Sequence, residues 1–251
     1  MADRCDLDHV ALAADDTAAA LRFLTGELGG TVIFGGQAVG FRPMQVWIGS
    51  PDGDGMPVEL LEPWDTARND FLARFVAKQG AGPHHLTFKV PDLLDTIARA
   101  RAIGVHPVKV DLSDPDWKEA FVMPREAHGT VVQLAQTTHR ATRAELLATV
   151  AARGPDAHPR WWHDPASPSG PPARLRRVVL RTPAPDDAAT LFADLLGGEV
   201  ESHGDARADL VWPCGSRLRV EARPGPAGID RLEVEGLDEP RTVLGTRFVP
   251  V

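Results

Sequence analysis

Apolar and polar residues alternate in short runs along most of this chain, and helical spacings interrupt the runs at regular intervals. "LDHVALA" (Leu7 to Ala13) alternates with period two, the pattern of a half-buried strand, and "DDTAAALRFL" after it reads as a turn and a helix. "GGTVIFGG", "MQVWIG" and "PVELLEP" then follow as strands, and the same order returns from "PHHLTFKV" through "VHPVKV", "EAFVM" and "TVVQLAQ". From Thr137 to Arg174 the character changes. "RATRAELLATVAAR" (Arg140 to Arg153) predicts one amphipathic helix, and "GPDAHPRWWHDPASPSGPPAR" is too rich in Pro and Gly for regular structure. The pair Trp161 and Trp162 in it is expected to cover a domain surface rather than to bind a ligand. Beyond Leu175 strand-like runs resume in "LRRVVLRT", "SRLRVEARP" and "DRLEVEG".

These runs are copies of one unit. Placing His9 on His85 matches Val10 with Leu86, Leu12 with Phe88, Asp16 with Asp92 and Leu21 with Ile97. Each copy is a βαβββ unit that opens with a His and, about 50 positions later, carries a carboxylate or amide on its last strand, Glu59 in one and Gln133 in the other. A third copy, "LRRVVLRTPAPDDAATLFADLLGGEV", lies on the first without a gap and puts Arg177 at the position of His9. A shortened fourth copy begins at "GIDRLEVEGLD" and puts Arg231 at the position of His85. The predicted organisation is therefore two modules, 5–79 and 80–138, a helix and Pro-rich linker over 139–173, and degenerate, truncated modules over 174–251. The fold class is α+β: paired βαβββ modules forming a cup-shaped mixed sheet, with a second degenerate pair at the C-terminus.

Alternation also says where the histidines point. Val10 and Leu12 share one strand face, and His9, Ala11 and Ala13 the other; in the second copy Leu86 and Phe88 oppose His85 and Thr87. If two modules pair about a pseudo-twofold axis, His9, Glu59, His85 and Gln133 converge on one concave face. One His at a strand start is usually just a satisfied polar residue. Two at equivalent repeat positions, each with a later oxygen donor, point to a metal. Two imidazoles, a carboxylate and an amide oxygen suit one divalent ion of intermediate hardness (Mn, Co, Ni, Fe or Zn) with positions left for water or substrate. His84 alternates away from His85 and is expected to support the site or the structure.

Composition narrows the partners. A formal net charge of −8 argues against nucleic acid or an anionic membrane. No apolar run approaches about 18 residues, and "MADRCDLDHVAL" has no basic segment followed by an apolar core. Cys5 and Cys214 are the only cysteines and make no disulfide framework, so a reducing cytoplasm is expected.

Residues Leu7 to Gln136 resemble the vicinal oxygen chelate superfamily, which includes glyoxalase I, extradiol dioxygenases, bleomycin-resistance proteins and methylmalonyl-CoA epimerase. "VELLEPWDTARNDFLARFVAKQGAGPHHLTFKV" and "FVMPREAHGTVVQLAQ" resemble the epimerases most. The resemblance implies a metal-dependent isomerase or lyase acting by proton abstraction next to a carbonyl or thioester, with a small-molecule substrate that includes acyl-CoA. His9, His85, Glu59 and Gln133 are the implied ligands, and Glu59 the implied base. The epimerases end their last strand on Glu where this chain has Gln133, and the bacterial ones commonly carry Gln where it has Glu59, so the two are exchanged between modules. A second acid expected on an inner strand of the first module is represented there only by Gln45, a candidate substrate-binding residue. The superfamily leaves other readings: a glyoxalase-type lyase, an extradiol dioxygenase, or a metal-free binding protein of the bleomycin-resistance kind. The degenerate modules imply a monomer or weak homodimer, since they supply within one chain the surface that a second subunit supplies in two-module relatives.

Overall fold

A computed structural model describes residues 4–139, 141–153, 163–204 and 206–251. The Trp161–Trp162 pair lies outside the described residues. Among the described residues fifteen strands form two sheets. The first takes the order β2-β3-β4-β1-β5-β8-β7-β6 and the second β10-β11-β12-β9-β13-β15-β14.

The first module comprises β1 (Asp6–Ala13), a helix α1 (Ala18–Arg22) that widens into a π-helical turn over Phe23–Glu27, β2 (Thr31–Gly35), β3 (Gly40–Gly49) and β4 (Gly55–Trp64). A helix α2 (Phe71–Gln79) leads to the second module: β5 (Gly82–Lys89), α3 (Leu93–Ala102), β6 (Val108–Asp111), β7 (Trp117–Val122) and β8 (Val131–Thr137). After α4 (Arg143–Arg153) the third copy builds β9 (Arg174–Arg181), α5 (Pro185–Ala189) with its own π-helical continuation Thr190–Leu195, β10 (Glu199–Gly204), β11 (Arg207–Val211) and β12 (Arg217–Glu221). The fourth consists of β13 (Gly228–Glu235), β14 (Arg241–Val243) and β15 (Thr246–Pro250). The opening strand of each of the first three modules pairs in parallel with that module's last strand: β1 with β4, β5 with β8, β9 with β12. The repeat read from the sequence is thus also a repeat of pairing.

The chain falls into two compact units that do not follow its order: Met1–His9, His85–Ala141 and Arg177–Arg231 in one, Val10–His84, Thr142–Arg176 and Leu232–Val251 in the other. In the first unit Phe88 stacks on Phe192 and meets Trp212 edge-on, and the Trp212 indole N–H donates to the Leu196 carbonyl at 2.7 Å. Helix α3 starts at Asp92, whose side chain accepts from the Asp95 N–H, and it buries Leu93, Ile97 and Ala100.

In the second unit α4 lays Leu147 and Val150 against Ile33 and Trp47. It begins three residues later than Arg140, because Thr142 and Glu145 form a capping box: the Thr142 hydroxyl and N–H donate to the Glu145 carboxylate, and the Glu145 N–H returns to Thr142. Helix α2 packs Leu72 and Val76 onto Ala11, Ala13 and Leu61. The small residues after His9 therefore make room for a helix. The end of the Pro-rich run is irregular, as expected, but it is tied down: Ala166 N–H donates to Thr25 Oγ1, and Ala173 N–H to the Leu28 carbonyl.

Candidate metal centre

The strand registers place the repeat-equivalent donors alike. Glu59 on β4 is the Cα partner of Ala11, two residues beyond His9 on β1. Gln133 on β8 is the partner of Thr87, two residues beyond His85 on β5. Since side chains two apart on a strand share a face, each last-strand donor projects from the same face as its module's histidine. All four are buried. The His9 and His85 rings lie 5.8 Å apart, edge to face. His9, His85 and Gln133 belong to one compact unit and Glu59 to the other.

Hydrogen bonds fix which atoms face inward. His9 Nδ1 sits 2.8 Å from Asp8 Oδ2, and Lys89 Nζ lies 2.8 Å from the other Asp8 oxygen. Burial pushes the Asp8 carboxyl up, but the Lys89 charge and the His9 hydrogen bond outweigh it and hold the group far below the usual carboxylate range. A carboxylate can only accept, so His9 Nδ1 donates and Nε2 is the atom turned to the site. Nε2 lies 2.9 Å from Thr87 Oγ1, which also donates to Gln133 Oε1 at 2.6 Å. That hydroxyl has one proton, and in the neutral imidazole both Nε2 and Oε1 call for it. An imidazole nitrogen and an amide oxygen converging on one small group, with a second imidazole edge-on to the first, fit a divalent cation by donor chemistry. Gln133 Nε2 donates to Glu119 Oε2 at 2.7 Å, and Gln45 Nε2 donates to Glu59 Oε1 at 3.0 Å. Gln45, the candidate substrate-binding residue, stands directly across from Glu59 in the β3–β4 ladder.

His84 turns elsewhere. Its ring meets Phe75 at 4.5 Å and Phe71 at 6.0 Å, both edge-on, and so braces α2.

A second group with metal-ligand spacing, Asp16, Glu62 and His163, has a different character. One Glu62 oxygen accepts from the Arg42 guanidinium, the other from Thr17 N–H, Thr17 Oγ1 and His163 Nε2. An arginine on the central carboxylate opposes a cation, so this cluster reads as a structural tie. In the C-terminal modules the positions of His9 and His85 are ion-paired: Arg177 with Asp209, which also holds Arg219, and Arg231 with Glu221 and Asp230.

The residues that sequence reasoning missed are Asp8, Thr87 and Glu119. Asp8 precedes a candidate ligand and Thr87 shares the His85 face, so both carried a weak signal. Glu119 carried none: its partner is diagonal across the β7–β8 ladder, where Glu119 pairs with Ala135 and Phe121 with Gln133.

Residues 8–121 match the model of the Glyoxalase/Bleomycin resistance protein/Dioxygenase superfamily, which bears out over that segment the resemblance read from Leu7 to Gln136. A crystal structure of a hypothetical protein from Staphylococcus aureus, 11% identical, covers 98% of this chain and 100% of its own with a TM-score of 0.62. The glyoxalase-like α+β fold of repeated modules thus stands as predicted. Methylmalonyl-CoA epimerase from Mycobacterium tuberculosis is 25% identical over 53% of this chain and 89% of its own, with a TM-score of 0.46. A methylmalonyl-CoA epimerase in complex with methylmalonyl-CoA and ammonium is 25% identical over 54% of this chain and 96% of its own, also at 0.46. No curated protein matches the sequence. Among the described residues no helix is long and apolar enough to cross a membrane.

Proposed function

We propose that this protein is a divalent-metal-dependent isomerase or epimerase that moves a proton next to a carbonyl or thioester carbonyl of a small molecule, acyl-CoA thioesters included. The observation that carries the reading is the buried pair of imidazoles His9 and His85, in a segment that matches the Glyoxalase/Bleomycin resistance protein/Dioxygenase superfamily. His9 through Nε2, His85, Glu59 and Gln133 through Oε1 would hold the ion. When bound, it supplies Lewis-acid stabilisation of the negative charge that develops on the substrate oxygen. Glu59 is the proton-transfer group. Gln45 donates to one of its oxygens, which fixes the carboxylate plane, and the carboxylate takes the proton from carbon and returns it. Asp8, which accepts from Nδ1, keeps the imidazole of His9 in one orientation and leaves Nε2 to the ion. Burial of all four donors excludes bulk water from the reacting centre. The same reading takes the protein as cytoplasmic and as a monomer or weak homodimer, which sedimentation measures.

The test is deuterium exchange into methylmalonyl-CoA and simpler acyl-CoA thioesters in heavy water, after chelator stripping and reloading with Co, Mn, Ni, Zn or Fe. Metal-dependent exchange that drops about 10²–10⁴-fold in Glu59→Gln is the expected outcome. Exchange that survives stripping sinks the reading. Oxygen uptake with a catechol, or turnover of a hemithioacetal, moves it to the dioxygenase or lyase branch.

A further inference from the structure

The side-chain amide of Gln133 has two chemically different ends on one nearly two-fold torsion, so either end could face the metal centre. Only the oxygen can ligate a cation. The surroundings choose between the two ends. Gln133 Nε2 lies 2.7 Å from Glu119 Oε2, and exchanging the ends would set two oxygens, neither with a proton to share, at that separation. The same Glu119 oxygen accepts from the Trp117 indole N–H at 2.9 Å, a group that can only donate, so the oxygen is held in place from β7 itself. Trp117, Glu119 and Phe121 alternate on β7, and the pairing of Phe121 with Gln133 sets Glu119 diagonal to the amide. At the far end of the amide, Oε1 meets the hydroxyl that also touches His9 Nε2.

We infer that Glu119 is a positioning residue that sets the polarity of the Gln133 amide and so makes Gln133 an oxygen ligand of the metal proposed above, a reading on which this inference rests. Gln at this position then needs its carboxylate neighbour. Where a last-strand Glu would ligate without help, a Gln ligates only while something binds its NH₂. The exchange of Glu and Gln between the two modules accordingly has a counterpart one strand away, with an amide (Gln45) beside Glu59 and a carboxylate (Glu119) beside Gln133.

The experiment titrates chelator-stripped wild type, Glu119→Ala and Glu119→Gln with Co²⁺ alone by calorimetry, and follows the Gln133 side-chain NH₂ resonances of the metal-free proteins by NMR. Glu119→Ala is expected to weaken Co²⁺ binding about 10–100-fold, the usual cost of losing a group that orients a ligand. Glu119→Gln keeps an oxygen that accepts from both Trp117 and Gln133, so it binds within about threefold of wild type. In Glu119→Ala the Gln133 NH₂ resonance loses the downfield position of a charge-assisted bond; in Glu119→Gln it is intermediate. Equal Co²⁺ affinity in all three proteins, or Gln133 resonances indifferent to Glu119→Ala, overturns the inference while leaving the metal reading intact. A wild type that takes up no Co²⁺ overturns both. A loss in Glu119→Gln as deep as in Glu119→Ala also rejects the inference, because the neutral acceptor should rescue the amide's orientation.

Discussion

At the scale of single residues, the candidate centre depends on directing atoms as much as on supplying them. His9 and His85 were legible in the sequence because a repeat put two histidines at equivalent strand positions, and chance seldom does that. Asp8 was not legible as a partner of His9. Neighbours on a strand point to opposite faces, and only the structure shows the Asp8 carboxylate 2.8 Å from Nδ1. Its anionic form is secured by Lys89 and His9 against the cost of burial. Removing the charge should therefore act on the metal through the imidazole. Asp8→Asn is expected to lower Co²⁺ affinity by about tenfold or more, measured by competition against a fluorescent chelator. Lys89→Met, which leaves the bond to His9 in place, should cost much less. Equal losses in the two would mean that Asp8 matters as a fold contact and not as the partner of Nδ1.

At the scale of elements, strands were easier to read than helix ends or tertiary ties. Short apolar runs marked all the strands of the first two modules, most of them buried, and even the exposed β6 kept its alternating valines. The onset of α4 was displaced because Thr142 and Glu145 cap it locally, a signal that outweighs the amphipathic run before it. That α2 would cover Ala11 and Ala13 was not legible, because small residues on a strand do not announce their neighbour. Two ties at this scale can be tested. Gly129, after β7, has φ +86°, and a Cβ there would lie 2.3 Å from the Ala227 carbonyl group. Gly129→Ala should cost more than the roughly 1–2 kcal/mol of left-handed backbone alone, read by urea unfolding. The second is Glu62, where burial raises the carboxyl pKa and the bonds from Arg42, Thr17 and His163 bring it below the usual range. A depressed folded-state value stabilises the native state above the unfolded pKa and loses that stabilisation as pH falls through the folded one. Glu62→Gln should thus be clearly less stable than wild type at pH 7, and the gap should narrow as the pH drops below about 4. A gap independent of pH would show that shape, not charge, makes the tie.

At the scale of the whole molecule, the two sheets share one pairing scheme and differ in what stands at the equivalent positions. The first carries His9 and His85; the second carries Arg177 and Arg231, each ion-paired with a carboxylate. A guanidinium fixed where an imidazole would ligate repels a cation. The repeat therefore predicts one metal ion per chain rather than two, a stoichiometry that mass spectrometry of reloaded protein measures directly. Because the ion would bind only folded chain, Co²⁺ at a hundred times its Kd should add about 2.7 kcal/mol to stability and raise the melting temperature accordingly. His9→Ala and His85→Ala should each abolish that rise, whereas Arg177→Ala should lower the melting temperature of the apoprotein and leave the metal-dependent rise as it was. The alternatives give distinct patterns. Two ions per chain would mean that the Arg177–Asp209 pair yields to a cation, and that the second sheet is not inert. One ion retained in both histidine variants would move the binding to Asp16, Glu62 and His163, where Glu62→Gln should then remove it. In that event the likeness between the first two modules would record their common origin and no common chemistry.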